Sequence, residues 1–289
     1  TTVIFGQVFN YSENPTIEIG HLRDKPIQIH KSGINVIQAT FSEERIKWES
    51  PDEVVCAAIG EESCFISLKS DNRAIVLDSE FNLIVDKQIG TVYSATYCEK
   101  SIAIAVKSEG SNHSAISIYS TDLNPGDSEI HLQSQVISMQ FNSATMELFV
   151  STQDGVVYKI SINENTENTD LEETIVTIYS GKVSPLIFNF CDAILIVAEK
   201  TFVYNGQQLL VLSATVNNSS PLAVTTYENN VFVVEKDGSL STVTVEVMEN
   251  DMTTTVLQPM STPRRVANFG DFTLTVSRSK EGEMVKSFM

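Results

Sequence analysis

The sequence predicts an all-β fold assembled from repeated four-stranded units. Three observations predict it. Apolar and polar residues alternate with a period of two along most of the chain. Short turn signals separate the alternating runs. The same strand-and-turn grammar then recurs about every 42 residues. No stretch of ten or more residues carries apolar positions at i, i+3, i+4 and i+7 behind a capping residue, so helices are not expected.

Thr2-Val3-Ile4-Phe5 reads as a strand with no partner of its own. Ile34 to Phe41 reads as an innermost strand, and Ser42 to Ser50 is too short for the rest of a unit, so residues 1–50 are expected to supply a closing strand and a degenerate unit. Val55 to Gly60 opens the first full unit. Ser63 to Leu68 follows, then the polar turn Lys69-Ser70-Asp71-Asn72, then Arg73 to Asp78: strand, tight turn, strand. The grammar repeats at Glu147 to Thr152, Asp154-Gly155 and Val156 to Ile160. It repeats again at Val231 to Val234, Asp237-Gly238 and Ser239 to Val245, and at Phe272 to Val276, Glu281-Gly282 and Met284-Val285. Glycine after an acidic or amide residue supplies the positive φ that a tight hairpin turn needs. Abundant β-branched residues agree with strands throughout.

Units open near Val55, Val92, Val136, Val183, Val224 and Val266. Four strands per repeat at this period predict the blades of a β-propeller filling residues 1–289 as a single domain. Six blades are countable, and length over period brings the expected total to about seven. The last unit runs out after three strands at Phe288-Met289, so the first residues are expected to complete it and remove two raw sheet edges.

Val55-x-x-Ala58-x-Gly60, with Phe65-Ile66-x-Leu68 and Ile75-Val76, resembles the repeat of RCC1-like propellers, as does Val266-Ala267-x-x-Gly270-x-Phe272-x-Leu274 through Gly282. The opening Val3-Ile4-Phe5-Gly6-Gln7 and Pro26-Ile27-x-Ile29 look similar. Val136 to Phe141 through Asp154-Gly155-Val156-Val157-Tyr158, and Ser114 to Tyr119, resemble the WD40-like repeat instead. The chain departs from both patterns: it has no Trp-Asp dipeptide, no Gly-His start, and no His after the central Gly. Either resemblance implies a propeller. The RCC1-like one also implies a split closing blade and, as a possible activity, guanine-nucleotide exchange on a small GTPase.

Composition narrows the function. The formal charge of −18 argues against nucleic acid or an anionic membrane surface as a partner, because both need clustered Lys and Arg. No apolar run approaches the ~18–20 residues of a membrane helix. Cys56, Cys64, Cys98 and Cys191 form no C-x-x-C pair and read as free thiols in a reducing compartment. Asn10, Asn112, Asn217 and Asn218 begin Asn-x-Ser/Thr triplets, which a chain this rich in Asn, Ser and Thr produces by chance. His21, His30, His113 and His131 match no metal spacing and read as surface or loop residues; no metal or other cofactor is expected. Gly-x-Ser-x-Gly and the glycine-rich phosphate loops are absent. Close carboxylate pairs are unavoidable among 37 acids, but a single Trp leaves little with which to stack a sugar.

Three places remain as possible partner-binding residues. Trp48 is the lone Trp in a polar segment, either an interface anchor or a core or edge residue of the degenerate blade. Glu164, Glu167, Asp170, Glu172 and Glu173 lie in the most polar stretch, a solvated loop or an acidic tether for a basic partner. Arg264 and Arg265 are the only adjacent arginines, suited to an acidic partner motif or to pairing with nearby carboxylates. The reading is a non-catalytic, intracellular protein-interaction scaffold, a subunit of a larger complex. The alternatives are an exchange factor for a small GTPase and a propeller hydrolase.

Overall fold

A computed structural model of the chain describes residues 5–12, 15–37, 46–108, 110–143, 145–162, 175–190, 193–198, 201–204, 206, 209–212, 221–227, 230–235, 240–245, 252–256, 263–269, 272–279 and 282–288. For 5–12 and from 210 onward the description is of backbone pairing. By the density of contacts, the chain divides into two compact units, one of Thr1–Ser50 with Val211–Met289, the other of Pro51–Leu210.

In the 51–210 unit, alternation becomes four antiparallel meanders. The first is β6 (Val54–Ile59), β7 (Ser63–Leu68), β8 (Arg73–Asp78) and β9 (Leu83–Gln88). The second is β10 (Val92–Cys98), β11 (Ser101–Lys107), β12 (Ser114–Ser120) and β13 (Pro125–Leu132). The third is β14 (Val136–Asn142), β15 (Glu147–Thr152), β16 (Val156–Ser161) and β17 (Ile175–Ser180). The fourth is β18 (Leu186–Phe190), β19 (Ala193–Val197), β20 (Thr201–Tyr204) and β21 (Leu209–Leu212). The first strands β6, β10, β14 and β18 pack side by side in that order.

Period-two sequence explains how each sheet is buried on both faces. On β11, Ile102 and Ile104 face the sheet that begins with β6, while Ala103 and Ala105 face the sheet that begins with β14. On β15, Leu148 and Val150 turn back toward the β10 sheet, and Phe149 turns forward to the β18 sheet. A strand covered on both sides must be apolar at nearly every position, and β7 is buried along its whole length. Tyr97 of β10 lies over Gly60; a Cβ there would meet the ring carbons Cε1 and Cγ at 2.7 and 2.8 Å, so the residue must be glycine. The Tyr97 hydroxyl is in turn within 2.8 Å of Ser63 Oγ.

The other unit holds three sheets. One is β2 (Thr16–Leu22), β3 (Lys25–His30), β4 (Gly33–Val36) and β5 (Ile46–Glu49). The second is β22 (Pro221–Tyr227), β23 (Asn230–Glu235), β24 (Leu240–Val245) and β25 (Met252–Val256). The third joins β1 (Phe5–Ser12) to β28 (Gly282–Phe288), β27 (Phe272–Ser279) and β26 (Pro263–Phe269). The first strands β22, β26 and β2 again pack in sequence.

Several expectations need correction. Strands β2 to β5 form a complete four-stranded sheet, not a degenerate unit, and Ile34 lies on its third strand rather than its innermost. The turns that build it, Arg23-Asp24 and Lys31-Ser32, lack the Asx-Gly signature, although Arg23 adopts a positive φ of 52°. The strand completing the last sheet is Phe5–Ser12, and Thr2 to Ile4 lie outside the described residues. Side-chain packing is described for five sheets, those beginning with β2, β6, β10, β14 and β18, where the sequence predicts seven packed units. His30 is buried on β3, not at the surface, and His113 is half-buried in its turn. Among the described residues no helix is long and apolar enough to cross a membrane.

Candidate protein-interaction surface

The inner strands share a feature that alternation conceals. Pairing of first with second strand skips one residue near the start in six sheets: between Thr16 and Glu18, Val54 and Cys56, Val92 and Ser94, Val136 and Ser138, Pro221 and Ala223, and Pro263 and Arg265. A skipped residue leaves the ladder, and such bulges re-aim a side chain. In the 51–210 unit the skipped residues are Val55, Tyr93 and Ile137. Val55 is 43% exposed, and Tyr93 and Ile137 are half-buried. β18 pairs without a skip, but the loop before it presents Val183, 46% exposed. The signal was in the sequence: Val54-Val55, Val92-Tyr93 and Val136-Ile137 place two apolar residues together where strict alternation allows one.

Antiparallel meander geometry puts the loop entering the first strand at the same end of the sheet as the turn between the second and third strands. Hydrogen bonds tie these loops together within and between sheets. Asp52 accepts from the Ser70 amide, and Asp154 N donates to Ser134 Oγ at 3.3 Å. Thr91 Oγ1 donates to Asn72 Oδ1 at 3.0 Å, and Ser184 Oγ donates to the Gln153 carbonyl at 2.8 Å. Gly181 N donates to the Gly155 carbonyl at 2.9 Å. The last three run from the turn of one sheet to the loop entering the next, so Val55, Tyr93, Ile137 and Val183 lie along one end of the unit.

Charges of both signs stand at that end. Hydrogen bonds from Ser70 hold the Asp52 carboxyl below the usual carboxylate range. Lys69 pairs with Glu53, and Arg73 with Asp86. Asp71 and Asp154 stand exposed in the turns, as do Lys107 at the end of β11 and Lys182 in the loop entering β18. Among the described residues no three His, Cys, Asp or Glu side chains gather as a metal site.

Of the expected binding residues, Trp48, Arg264 and Arg265 fall among the described residues. Trp48 sits half-buried on the outermost strand β5, opposite Ile34, between exposed Lys47 and Glu49; this is an edge position. Its backbone carbonyl closes against Gly33, where a Cβ would also lie 3.3 Å from the Glu49 Cα. Arg264 is the skipped residue of the inner strand β26, the position Val55 and Tyr93 hold in their own strands, and Arg265 pairs with Val276. Glu164, Glu167, Asp170, Glu172 and Glu173 lie outside the described residues.

No protein-family model matches the chain, and no curated protein matches it. Solved structures do. A chain of the Mitotic Checkpoint Complex superposes with a TM-score of 0.73 at 11% identity, covering 99% of this chain and 95% of that one. The Cps50 (Swd1) β-propeller domain of Myceliophteria thermophila gives 0.66 at 11%, covering 99% of both. The fold is a β-propeller. BamB from Moraxella catarrhalis gives 0.63 at 10%, covering all of both chains. At such identities the likeness establishes the propeller and its four-stranded blades. RCC1-like ancestry is not among what it establishes.

Proposed function

We propose that this propeller is a non-catalytic protein-interaction scaffold, a subunit of a larger complex. The observation that carries the reading is the row of half-exposed and exposed apolar residues, Val55, Tyr93, Ile137 and Val183, fixed at one end of a rigid stack of blades. Apolar residues held in the open by inner-strand bulges are interface material. The polar groups around them are engaged in fastening loop to loop. Likeness to a chain of the Mitotic Checkpoint Complex supports the reading at the level of fold. The finer reading belongs to the same proposal: each four-stranded sheet is one propeller blade, and the protein works inside the cell.

The test is quantitative affinity capture of the full chain from its native cells, followed by size-exclusion of the eluate. A stoichiometric, co-eluting protein is the expected result. Absence of any such protein overturns the reading. Acceleration of nucleotide release across a panel of small GTPases would replace it with the exchange-factor reading.

A further inference from the structure

We propose that the end of the 51–210 unit opposite Val55, Tyr93, Ile137 and Val183 binds a basic protein segment whose apolar side chains seat on Leu83 and Ile84. This is the end where the first strand of each sheet turns into the second, and the third into the fourth. It is a separate surface from the apolar row, and either stands without the other.

Two large apolar side chains are held in the open there. Leu83 and Ile84 open β9 and are 59% and 44% exposed. In the pairing of β8 with β9, Leu77 opposes Leu83 and Val76 opposes Val85, so Ile84 is skipped. The skip takes Ile84 out of the ladder and leaves it exposed next to Leu83. The turn before them is fixed. Asp78 Oδ1 accepts from the Glu80 and Asn82 amides at 2.8 Å each, and Phe81 holds a φ of 65°. A bulge on an outermost strand also disfavours an added strand, so side chains and not sheet pairing hold the occupant.

Charge selects that occupant, counted with both signs and whether or not a group is paired. Among the described residues, Glu61, Glu62, Glu80, Glu99 and Asp122 stand exposed in the turns at this end, against Lys100. Lys87 reaches the same end, where its Nζ donates to Asn124 Oδ1 at 2.6 Å, and Asp78 offsets it. Lys159 is matched by Glu147. The opposite end, with Lys69, Arg73, Lys107 and Lys182 among its carboxylates, is close to balance. The acids also flank the apolar pair. Glu80 comes three residues before Leu83, and the Lys87–Asn124 bond ties β9 to the turn that carries Asp122. Ser161 and Ile175 lie at this end too, and the sequence joining them adds five carboxylates and no Lys or Arg to the field. A basic segment is drawn in by such a field and an acidic one repelled. The exposed pair favours a segment with apolar side chains over a merely basic one.

Fluorescence anisotropy on the full chain tests this with labelled twelve-residue peptides. The probe is four repeats of Leu-Lys-Lys; the controls are four repeats of Leu-Glu-Glu and of Ser-Lys-Lys. The probe is expected to bind at least about tenfold more tightly than either control, and to weaken as salt rises. Leu83→Ser with Ile84→Ser should weaken it about tenfold, since truncating seated apolar anchors is what costs affinity. Glu80→Gln with Asp122→Asn should weaken it about threefold or more. Asp71→Asn with Asp154→Asn removes the same charge from the opposite end and should leave the affinity within about twofold. All three pairs change exposed positions, and an unchanged thermal unfolding curve shows that the fold is intact. Absence of probe binding, equal binding by wild type and the Leu83→Ser/Ile84→Ser variant, or equal losses in the two charge variants overturns the proposal. So does tighter binding of the acidic peptide.

Discussion

Gly155→Ala isolates how the blades are fastened at their loop end. Gly155 has φ +91°, a conformation that an L-residue adopts only under strain. A Cβ there would lie 2.9 Å from the Gly181 carbonyl carbon and closer still to its oxygen. Gly181 cannot retreat freely, because its amide donates to the Gly155 carbonyl at 2.9 Å and leads into β18. The backbone strain costs about 1–2 kcal/mol, and the forced backbone shift about 1–3 kcal/mol more. Gly206 is the matched control in the same compact unit: its φ is +90°, and nothing lies within 4 Å of a Cβ there. Gly206→Ala therefore incurs only the strain. Urea unfolding followed by circular dichroism should show Gly155→Ala losing about 2–5 kcal/mol and Gly206→Ala about 1–2 kcal/mol, with equal slopes. Equal losses in the two variants would refute the close contact between the turn of the β14 sheet and the loop entering β18.

Other consequences are testable in the same way. Lys159 and Glu147 form an ion pair at 2.7 Å with side chains only 18% and 13% exposed, and Lys159 also lies 5.9 Å from the centre of the Tyr204 ring in the next blade. Lys159→Met should cost about 1–3 kcal/mol in chemical unfolding by stranding the carboxylate, and adding Glu147→Leu should recover most of it. Burial lowers the His30 pKa below its ordinary 6.5, only partly offset by a hydrogen bond with Asn35. The unfolded chain then binds a proton that the folded one refuses. Stability should be complete above pH ~6.5 and fall as pH drops toward the depressed folded value, and His30→Gln should flatten that slope. Burial pushes the Cys64 and Cys98 thiols up to about 12, so maleimide labelling of native protein with peptide mapping should modify Cys56 well before either. Ile104→Ala, which empties a fully buried site between two blades, should cost about 2–5 kcal/mol by the same unfolding measurement.

Local sequence determined the strands whose turns announce themselves. Ser63–Leu68 and Arg73–Asp78 coincide with the reading around Lys69 to Asn72, and Glu147–Thr152 with the reading before Asp154-Gly155, because turn chemistry and alternation are both local. The first sheet escaped because Arg23-Asp24 and Lys31-Ser32 turn the chain without glycine. His30 escaped because Ile27-Gln28-Ile29-His30 alternates as a half-exposed strand would, yet all four residues are buried. Gln28 is held by a buried network in which it donates to Thr16 Oγ1 at 2.7 Å and accepts at Oε1 from Asn35 at 3.2 Å. The candidate surface belongs almost wholly to tertiary structure. Val55, Tyr93, Ile137 and Val183 are separated by about 40 residues each in sequence. They come to one end of the unit only because successive inner strands stack; register skips turn the first three out of the ladder, and the loop before β18 presents the fourth. Which strands exist is a property of each short segment, set by its own periodicity and turns. Which residues share a surface is set by how the sheets stack, and no single segment carries that information.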